Sequence, residues 1–377
     1  MTLNDSHGRP TWAEINLKAL SNNIGVVRGK VGEERKILAV VKADAYGHGL
    51  VPVSKALLSE NIQMFGVAQL DEGIELRQAG IQIPILLMTG FLESQLKDIF
   101  HYRLTPVVHH FDLLSPLQRF GKKAQKPFRF HLKIDTGMGR LGMTLSELKR
   151  VAQMLKASPE IFLEGIMTHF AESEGEGGGF LKEQTHRFLE SVNLVLKSDY
   201  PHLICHAANS AAIVNSPSSY FQMVRPGIML YGYLPPPLKG LNHGLMPVMS
   251  LKTKIIHLKK VPPRTPIGYG RTWKTKRESL IATLPIGYAD GYPRLLSNRG
   301  SVLMRGKKYP IVGRICMDLL MVDVTGMERP EIGETVVLIG EEEGKKITAD
   351  EIGMWAETIS YEILCGVNRR IPRVYLS

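Results

Sequence analysis

Cysteine is scarce in this chain, and the patterns that would give it a structural role are missing. The 377 residues include three cysteines, Cys205, Cys316 and Cys365, which lie far apart and form no C-x-x-C pair. An odd number at such spacing argues against a disulfide framework and against a zinc site built from thiolates. The histidines show no H-E-x-x-H motif, and we expect no metal.

Long apolar runs are absent as well. No run approaches the ~20 residues that a helix needs to cross a bilayer. The N-terminal stretch MTLNDSHGRP has no apolar segment typical of an export signal. These absences predict a cytoplasmic protein that does not act at a membrane.

Acidic residues are fewer than basic ones, at 36 against 47, which gives a formal net charge of +11. The basic residues are interleaved with acids along the whole chain rather than gathered into a stripe or tail. That distribution argues against nucleic acid as a partner, while a diffusely basic surface favours small anions. The length and an apolar content of 44% are typical of a globular enzyme of about two domains.

Short runs rich in Val, Ile and Leu alternate with helical stretches in the first two thirds of the chain. One stretch, 144–155, starts with Thr144 and Glu147 in the spacing of a capping box. Eight strand-then-helix units over about 230 residues predict a (β/α)8 TIM-type barrel, with an open doubly wound sheet as the alternative. The predicted strands are 37–43, 64–69, 85–89, 104–108, 128–135, 164–169, 203–206 and 223–230.

The proline run LPPP at 234–237 ends this pattern, because proline cannot continue a helix. Beyond it, strand-like runs are separated by turns that contain Pro and Gly, which predicts a mainly antiparallel β domain. The sequence therefore predicts a barrel over residues 10–236 and a C-terminal β domain over residues 237–377.

Lys42 lies at the end of the first predicted barrel strand, in ILAVVKADAYGHG, just before a glycine-rich turn. In such barrels this end of the strands carries the active site. Burial disfavours the charged form of lysine, and the resulting free amine is able to form a Schiff base with an aldehyde. By position alone, a lysine that reaches solvent from the end of a strand is equally consistent.

Small residues follow the last two predicted barrel strands, at Asn209-Ser210 and at Arg225-Pro226-Gly227. Loops after the seventh and eighth strands of such barrels commonly bind a phosphate group. A lysine that faces a phosphate site is the arrangement that pyridoxal phosphate requires, and we expect this cofactor.

Nine segments together carry a resemblance to a known family: VKADAYGHG (41–49), DTGMGRLG (135–142), THFA (168–171), HAANSAA (206–212), RPGIMLYG (225–232), GYG (268–270), IGYADGYPR (286–294), GRICMD (313–318) and ISYEILCG (359–366). With them the chain resembles the alanine racemase family, pyridoxal-phosphate enzymes of fold type III. Any one segment alone is weak, but together they span nearly the whole chain in the order of the family.

The resemblance implies two bases. Lys42 matches the lysine that binds the cofactor covalently and acts on one face of the substrate Cα. Tyr269 matches the base on the opposite face, which comes from the second subunit of a homodimer. Racemisation needs both, because one group removes a proton and another returns it from the other side. A phenol ordinarily titrates near pH 10, so such a base needs a tuned environment.

The resemblance also implies the remaining contacts. Arg225 matches the arginine that donates to the pyridine nitrogen, and His169 matches the histidine that orients it. Since guanidinium only donates, that nitrogen stays unprotonated, which we expect to limit side reactions. The phosphate-contacting positions are Tyr46, Ser210, Gly227, Ile228 and Tyr361, with Asn209 in the same cofactor-binding loop.

On the substrate side, Arg140 and the backbone N–H of Met317 match contacts to the carboxylate. Lys133 matches a lysine that is carbamylated in some members. Tyr288 and Tyr361 match aromatic residues that narrow the entrance. A narrow pocket favours a methyl side chain, although shape discriminates by only about 1–3 kcal/mol per methylene.

The expected activity is interconversion of L- and D-alanine, as alanine racemase (EC 5.1.1.1), supplying D-alanine for bacterial peptidoglycan. A racemase of broader specificity, for example for serine, remains an alternative. So do a non-catalytic pyridoxal-phosphate carrier and a decarboxylase of related fold. Tyr269 and Met317, both in the second predicted domain, argue against the carrier.

Overall fold

The computed structural model of the chain describes residues 8–173, 179–196, 200, 202–236, 238 and 243–377. The strands are β1 (Trp12–Asn16), β2 (Lys36–Val40), β3 (Met64–Val67), β4 (Ile85–Leu87), β5 (Thr105–Val108), β6 (Phe128–Lys133), β7 (Ile161–Met167), β8 (Ile204–His206), β9 (Met223–Val224), β10 (Met249–Lys254), β11 (His257–Val261), β12 (Pro266–Ile267), β13 (Trp273–Lys274), β14 (Ser279–Leu284), β15 (Ser301–Met304), β16 (Lys307–Pro310), β17 (Leu320–Asp323), β18 (Thr335–Glu342), β19 (Lys345–Ile347) and β20 (Arg373–Leu376).

The helices lie mostly between the strands of the first part of the chain. None of the described helices is both long and apolar enough to cross a membrane. Their bounds are α1 (Leu17–Val31), α2 (Lys42–Gly47), α3 (Leu50–Leu57), α4 (Leu70–Gln78), α5 (Leu96–His101), α6 (Leu114–Ala124), α7 (Leu145–Lys156), α8 (Gly179–Leu196), α9 (Ser210–Asn215), α10 (Ala349–Trp355) and α11 (Ser360–Gly366).

The strands β2 to β9 form one eight-stranded parallel sheet in the order β8-β7-β6-β5-β4-β3-β2-β9. Backbone bonds join its two ends, from Gln222 N to Cys205 O over 3.1 Å and from Arg225 N to Ala208 O over 2.9 Å. Strand β3 is buried at every position, as expected for a parallel strand covered on both faces. The predicted barrel is therefore confirmed.

Several predicted strand limits were wrong, three of them by three residues or more. Strand β2 ends at Val40, three positions before the predicted end at 43, because the turn that starts at Lys42 follows it. Strand β7 begins at Ile161, three positions before the predicted start at 164. Strand β9 stops at Val224, and a 3₁₀ helix at Ile228–Tyr231 replaces the rest of the predicted strand at 223–230. Pro226 lacks an N–H for a strand ladder, which explains why the sheet ends there.

The capping box predicted before the helix at 144–155 is present. Thr144 is the N-cap of α7, its side chain accepts from the backbone N–H of Glu147, and the Glu147 carboxylate accepts from Thr144 N over 2.9 Å. Both bonds satisfy donors that a helix start leaves free.

The second part of the chain is mainly antiparallel, as predicted. A seven-stranded sheet runs β16-β15-β18-β10-β1-β20, with β19 paired to β18, beside a three-stranded sheet β11-β14-β17 and the pair β12-β13. Strand β1 pairs antiparallel with β10 and parallel with β20, so the two ends of the described chain lie side by side. The helices α10 and α11 were not predicted.

The division into 10–236 and 237–377 stays a prediction. Residues 237 and 239–242, beside the proposed boundary, lie outside the described residues. Strand β1 falls within the first range but pairs with strands of the second.

Candidate active site

The predicted site residues in the barrel part of the chain gather at the carboxyl ends of the barrel strands, where barrel enzymes build their sites. One lies after each of the strands β2, β7, β8 and β9, one is the last residue of β6, and one lies in the loop after β6. In chain order they are Lys42, Lys133, Arg140, His169, Ser210 and Arg225. Burial lowers the pKa of His169 well below its ordinary value, and the four cations of this set lower it further, which places them all within electrostatic reach.

Lys42 opens a turn of unusual backbone conformation. The next four residues, Ala43 to Tyr46, all have φ between 53° and 55°, in the left-handed region. For L-residues this conformation costs about 1–2 kcal/mol per residue and persists only where the surroundings impose it. Here Glu72 Oε1 accepts from Ala43 N over 2.6 Å, and Asp44 Oδ1 accepts from Leu50 N over 2.9 Å. The turn therefore holds Lys42 in a fixed position.

Two lysines at the carboxyl ends of the barrel strands, Lys42 and Lys133, have lowered pKa values. Burial lowers the pKa of Lys42, and the nearby Arg140 adds to this. Burial, followed by Arg225 and Arg140, lowers the pKa of Lys133 to about 8. A neutral amine is the form that attacks a carbonyl carbon or accepts a proton.

Among the described residues, Arg225 has the largest of the fully buried side chains, at 2% exposure. Its Nη2 donates to the backbone oxygens of Thr168 and Ala207 over 2.7 and 2.9 Å. His206 Nδ1 lies 3.1 Å from Nη1, and His169 Nδ1 lies 3.5 Å from Nη2. Burial lowers the pKa of Arg225 to about 9, which still leaves it a cation at neutral pH.

One donor of this guanidinium has no partner. Nε of Arg225 is buried and makes no hydrogen bond to any described residue. A buried unsatisfied donor is costly, so an acceptor belongs there. An unprotonated pyridine nitrogen is such an acceptor, and this donor set fits pyridoxal phosphate.

The loops after β8 and β9 leave a small cradle between them. Ser210 Oγ accepts from Gly227 N over 2.9 Å, and a Cβ at Gly227 would lie 2.6 Å from Tyr46 Oη. The Tyr46 ring is held in place by Tyr231, at 4.8 Å between ring centroids, and by Tyr361 at 6.0 Å. Hydroxyls and a glycine backbone around such a gap suit a phosphate group.

Two further predicted residues border this cradle. Ile228 starts the 3₁₀ helix after Gly227. Asn209 is the N-cap of α9, and its Oδ1 accepts from Ala212 N over 3.0 Å and from Ser173 Oγ over 3.1 Å. The side chain of Asn209 thus shapes the loop that carries Ser210.

The structure does not place Tyr269 among the groups that act on Lys42. Tyr269 is 71% exposed, in a 3₁₀ turn between the short strands β12 and β13. It borders a depression of about 570 Å³ whose lining residues all belong to the second part of the chain. Met317 and Tyr288 are likewise exposed, at 54% and 43%, and their loops meet where Ala289 N donates to Met317 O over 3.0 Å.

Helix α11 brings the second part of the chain against the turn after Lys42. A Cβ at Gly47 would overlap Leu364 O, so the two backbones are in close contact. Tyr361 reaches Tyr46, and Cys365 acts electrostatically on Lys42. From the C-terminal strand, Arg373 Nη2 donates to Gly47 O over 2.9 Å. The turn is therefore fixed from both parts of the chain.

Sequence reasoning missed several residues that hold the site. The contact of Glu72 with the turn gives no motif signal, since Ala43, whose backbone N–H it accepts from, is 29 residues away in sequence. His206 lies within the segment HAANSAA but was given no role, and His131, 2.8 Å from it, carries no motif. Cys365 was considered only as a candidate disulfide or zinc ligand.

Sequence models of the alanine racemase N-terminal and C-terminal domains match residues 15–235 and 248–375. The chain is 46% identical over 370 residues to an alanine racemase of Halothermothrix orenii, covering 97% of each. It is similar to an alanine racemase structure from Clostridium difficile, with a TM-score of 0.93, 37% identity and coverage of 98% of this chain and 97% of the other. The chain is also similar to an alanine racemase structure from Bartonella henselae with covalently bound pyridoxal phosphate. The TM-score is 0.88 and the identity 30%, with coverage of 97% of this chain and 99% of the other.

Proposed function

The chain belongs to the alanine racemase family, and we propose that it works as a homodimer in which Lys42 and the partner's Tyr269 serve opposite faces of the substrate Cα. Its activity is the interconversion of L- and D-alanine with pyridoxal phosphate. The observation that carries this activity is the match to alanine racemases along nearly the full length of the chain.

When bound, pyridoxal phosphate withdraws electrons from the substrate Cα, so that the proton on this carbon becomes removable. Lys42 would hold the cofactor through its aldehyde, and Nε of Arg225, which has no partner among the described residues, would donate to the ring nitrogen, with His169 next to Arg225. The phosphate would be held by Tyr46, Ser210, Gly227, Ile228 and Tyr361, and Asn209 shapes the loop that carries Ser210.

The lowered pKa of Lys42, caused by burial and then by Arg140, increases the fraction of neutral amine at neutral pH. A neutral amine accepts a proton from one face of Cα. The phenol of Tyr269 serves the other face. The cations at the barrel mouth would stabilise its phenolate, because opposite charge favours the ionised form.

Exposure of the second-domain residues supports the homodimer. Tyr269 is 71% exposed and Met317 is 54% exposed in the single chain. A base that removes a proton from carbon works best where water is excluded. A second copy that presents its Tyr269 and Met317 to the barrel mouth completes the site and covers both residues.

The substrate carboxylate is bound by the side chain of Arg140 and the backbone N–H of Met317. Tyr288 and Tyr361 narrow the entrance, which favours the methyl group of alanine over longer side chains. The cations at the carboxyl ends of the barrel strands also attract the substrate carboxylate from solution.

Lys133 is carbamylated in this proposal. Only a neutral amine reacts with carbon dioxide, and burial and the neighbouring arginines lower the pKa of Lys133 to about 8. The carbamate would carry a negative charge within electrostatic reach of Arg225 and Arg140. That charge would hold Arg140 in place.

The cellular role follows from the product. We assign the chain to the cytoplasm, where it supplies D-alanine for peptidoglycan. The barrel at 10–236 carries the cofactor, and the β domain at 237–377 carries Tyr269, Tyr288 and Met317.

The activity is tested by incubating the purified full chain and pyridoxal phosphate with optically pure L- or D-alanine and following optical activity. Both enantiomers reach the racemic mixture, and serine in the same assay is turned over more slowly. Optically pure alanine that stays unchanged would overturn the activity, and equal turnover of serine would overturn the specificity.

A further inference from the structure

A row of buried polar side chains leads from Arg225 through the barrel interior towards its surface. His206 Nδ1 lies 3.1 Å from Arg225 Nη1, and His206 Nε2 lies 2.8 Å from His131 Nδ1. On the far side of His131, Nε2 lies 3.7 Å from Glu164 Oε2. Glu164 in turn accepts from Arg129 Nη1 over 3.0 Å. Both histidines are fully buried.

Arg225 at one end of the row and Glu164 at the other favour the same positions for the protons of both histidines. Burial lowers the pKa of His206 and of His131, so both rings are neutral and each has one donor and one acceptor nitrogen. Arg225 only donates, so Nδ1 of His206 accepts and its proton is on Nε2. That proton points to Nδ1 of His131, whose own proton is therefore on Nε2.

The proton on His131 Nε2 faces the Glu164 carboxylate. Among the described residues, Nε2 of His131 has no hydrogen-bond partner, and its distance to Glu164 is an ion-pair distance. Burial disfavours the charged form of Glu164, but His131 and Arg129 outweigh it and hold the pKa below its ordinary value. The row therefore ends at an ionised carboxylate.

The backbone places Glu164 for this contact. The register between β6 and β7 shifts after Phe130, which pairs with Leu163, because His131 pairs with Gly165 and Glu164 is skipped. Such an extra residue in a strand re-aims side chains. A Cβ at Gly165 would lie 2.6 Å from His131 Cε1 and Nδ1, so the glycine makes the space that the ring fills.

We propose that Glu164 is a positioning residue for the racemase reaction, which orients Arg225 through His131 and His206. Among the described residues, Arg225 has no carboxylate within ion-pair distance. Glu164 supplies the negative charge at the opposite end of the row of side chains that begins with Arg225. Without the carboxylate, Arg225 is the one remaining constraint on the two tautomers, and the reversed pair becomes accessible when the guanidinium shifts. When both tautomers are reversed, the proton of His206 is on Nδ1 and faces a donor of Arg225. Two donors then oppose each other, and the guanidinium moves so that its Nε turns away from the cofactor site.

This inference rests on the proposed contact between Arg225 and the ring nitrogen of the cofactor. Removing a residue that orients a group in direct contact with the reactive centre typically changes activity by about 10–100-fold. Glu164 acts on Arg225 through two further side chains, so we expect the lower end of this range. Because Glu164 does not touch the substrate, we expect a lower kcat and little change in KM.

The first test reads the tautomers directly, in the full chain with and without pyridoxal phosphate. Nitrogen NMR of protein labelled in histidine, assigned by single His→Gln substitutions, should show Nε2 protonated and Nδ1 unprotonated in both His131 and His206. Glu164→Leu should produce a mixture of tautomers at both rings, and Glu164→Gln, which keeps an acceptor oxygen, should preserve most of the parent pattern.

The second test measures alanine racemisation in the same variants. We expect Glu164→Leu to lower kcat by about tenfold, with Glu164→Gln closer to the parent. Glu93→Leu is the matched control, because Glu93 pairs with Arg119 over 2.7 Å on the exposed side of the barrel, away from any buried histidine.

A parent protein with Nδ1 of His206 protonated would overturn the proposal. So would a Glu164→Leu variant whose tautomers or whose kcat match those of Glu93→Leu. A parent that does not racemise alanine but shows the expected tautomers would overturn the proposed activity and leave the proton arrangement standing.

Discussion

Ala43 donates its backbone N–H to Glu72 Oε1 over 2.6 Å, which ties the residue after Lys42 to the first turn of α4. The other carboxylate oxygen of Glu72 accepts from Ala68 N over 2.7 Å and from Gln69 N over 3.0 Å. One side chain therefore stabilises both the left-handed turn and the start of a helix. All three donors require an acceptor, and the two oxygens of the carboxylate supply acceptors on both sides.

We predict that Glu72→Gln destabilises the protein and displaces Lys42. In either orientation the amide NH₂ faces at least one backbone N–H, and the loss of a partly exposed hydrogen bond of this kind costs about 0.5–1.5 kcal/mol. Urea unfolding measures the loss of free energy, and the rate of racemisation should fall with it. Asp71→Asn, the same chemical change at the neighbouring exposed residue, is the control, and equal stability of the two variants would contradict the role of Glu72.

Gly227→Ala should weaken binding of pyridoxal phosphate. The new Cβ would lie 2.6 Å from Tyr46 Oη, in the gap given to the phosphate, and the Tyr46 ring is held by Tyr231. Overpacking of this kind costs about 1–3 kcal/mol, and each ~1.4 kcal/mol is a tenfold loss of affinity. Absorbance titration of the cofactor-free chain gives the affinity.

The control for this change is Gly25→Ala, since a Cβ at Gly25 meets nothing within 4 Å. It should leave cofactor affinity unchanged. If Gly227→Ala binds pyridoxal phosphate as tightly as Gly25→Ala, the phosphate is held elsewhere.

Lys133 should make stability depend on pH in a defined window. Burial, then Arg225 and Arg140, lower its pKa to about 8, against the ordinary value of 10.5. Between these values the unfolded chain binds more protons than the folded chain, so the contribution of Lys133 to the free energy of unfolding rises with pH. Below about pH 8 the contribution is constant and unfavourable.

Lys133→Met removes this contribution. In buffer free of carbon dioxide, the free energy of unfolding of the parent minus that of the variant should increase between about pH 8 and about pH 10. The exposed Lys149 on α7 offers the control Lys149→Met, for which the difference should stay flat. A flat difference for Lys133→Met would mean that its amine titrates as in water.

The barrel was predictable because its signals are local. Each parallel strand is a short apolar run, and the helix after Thr144 begins with a capping box that four residues specify. The position of Lys42 at the site was predictable because it comes at the end of the first apolar run of the barrel pattern, the end where such barrels carry their active site. These features depend on neighbours in sequence, which a single sequence displays.

The features that were missed depend on distant parts of the chain. The left-handed turn after Lys42 has no glycine in its four left-handed residues, and bonds from Glu72 and contacts from α11 impose it. Strand β1 joins the second sheet because β10 and β20 flank it, which no local pattern reports. The row from Arg225 to Glu164 is set by a shift of strand register and by Gly165, so its distances exist only in the folded barrel.

The central claim, that each site combines Lys42 of one subunit with Tyr269 of the other, is tested by mixing two inactive variants. Lys42→Ala and Tyr269→Phe chains, unfolded and refolded together with pyridoxal phosphate, should recover about a quarter of the parent activity, because half of the dimers are mixed and one of their two sites is intact. Lys42→Ala mixed with the double variant is the control and should stay inactive. If the Lys42→Ala and Tyr269→Phe mixture also stays inactive while mixed dimers are present, the two residues do not form a site across subunits.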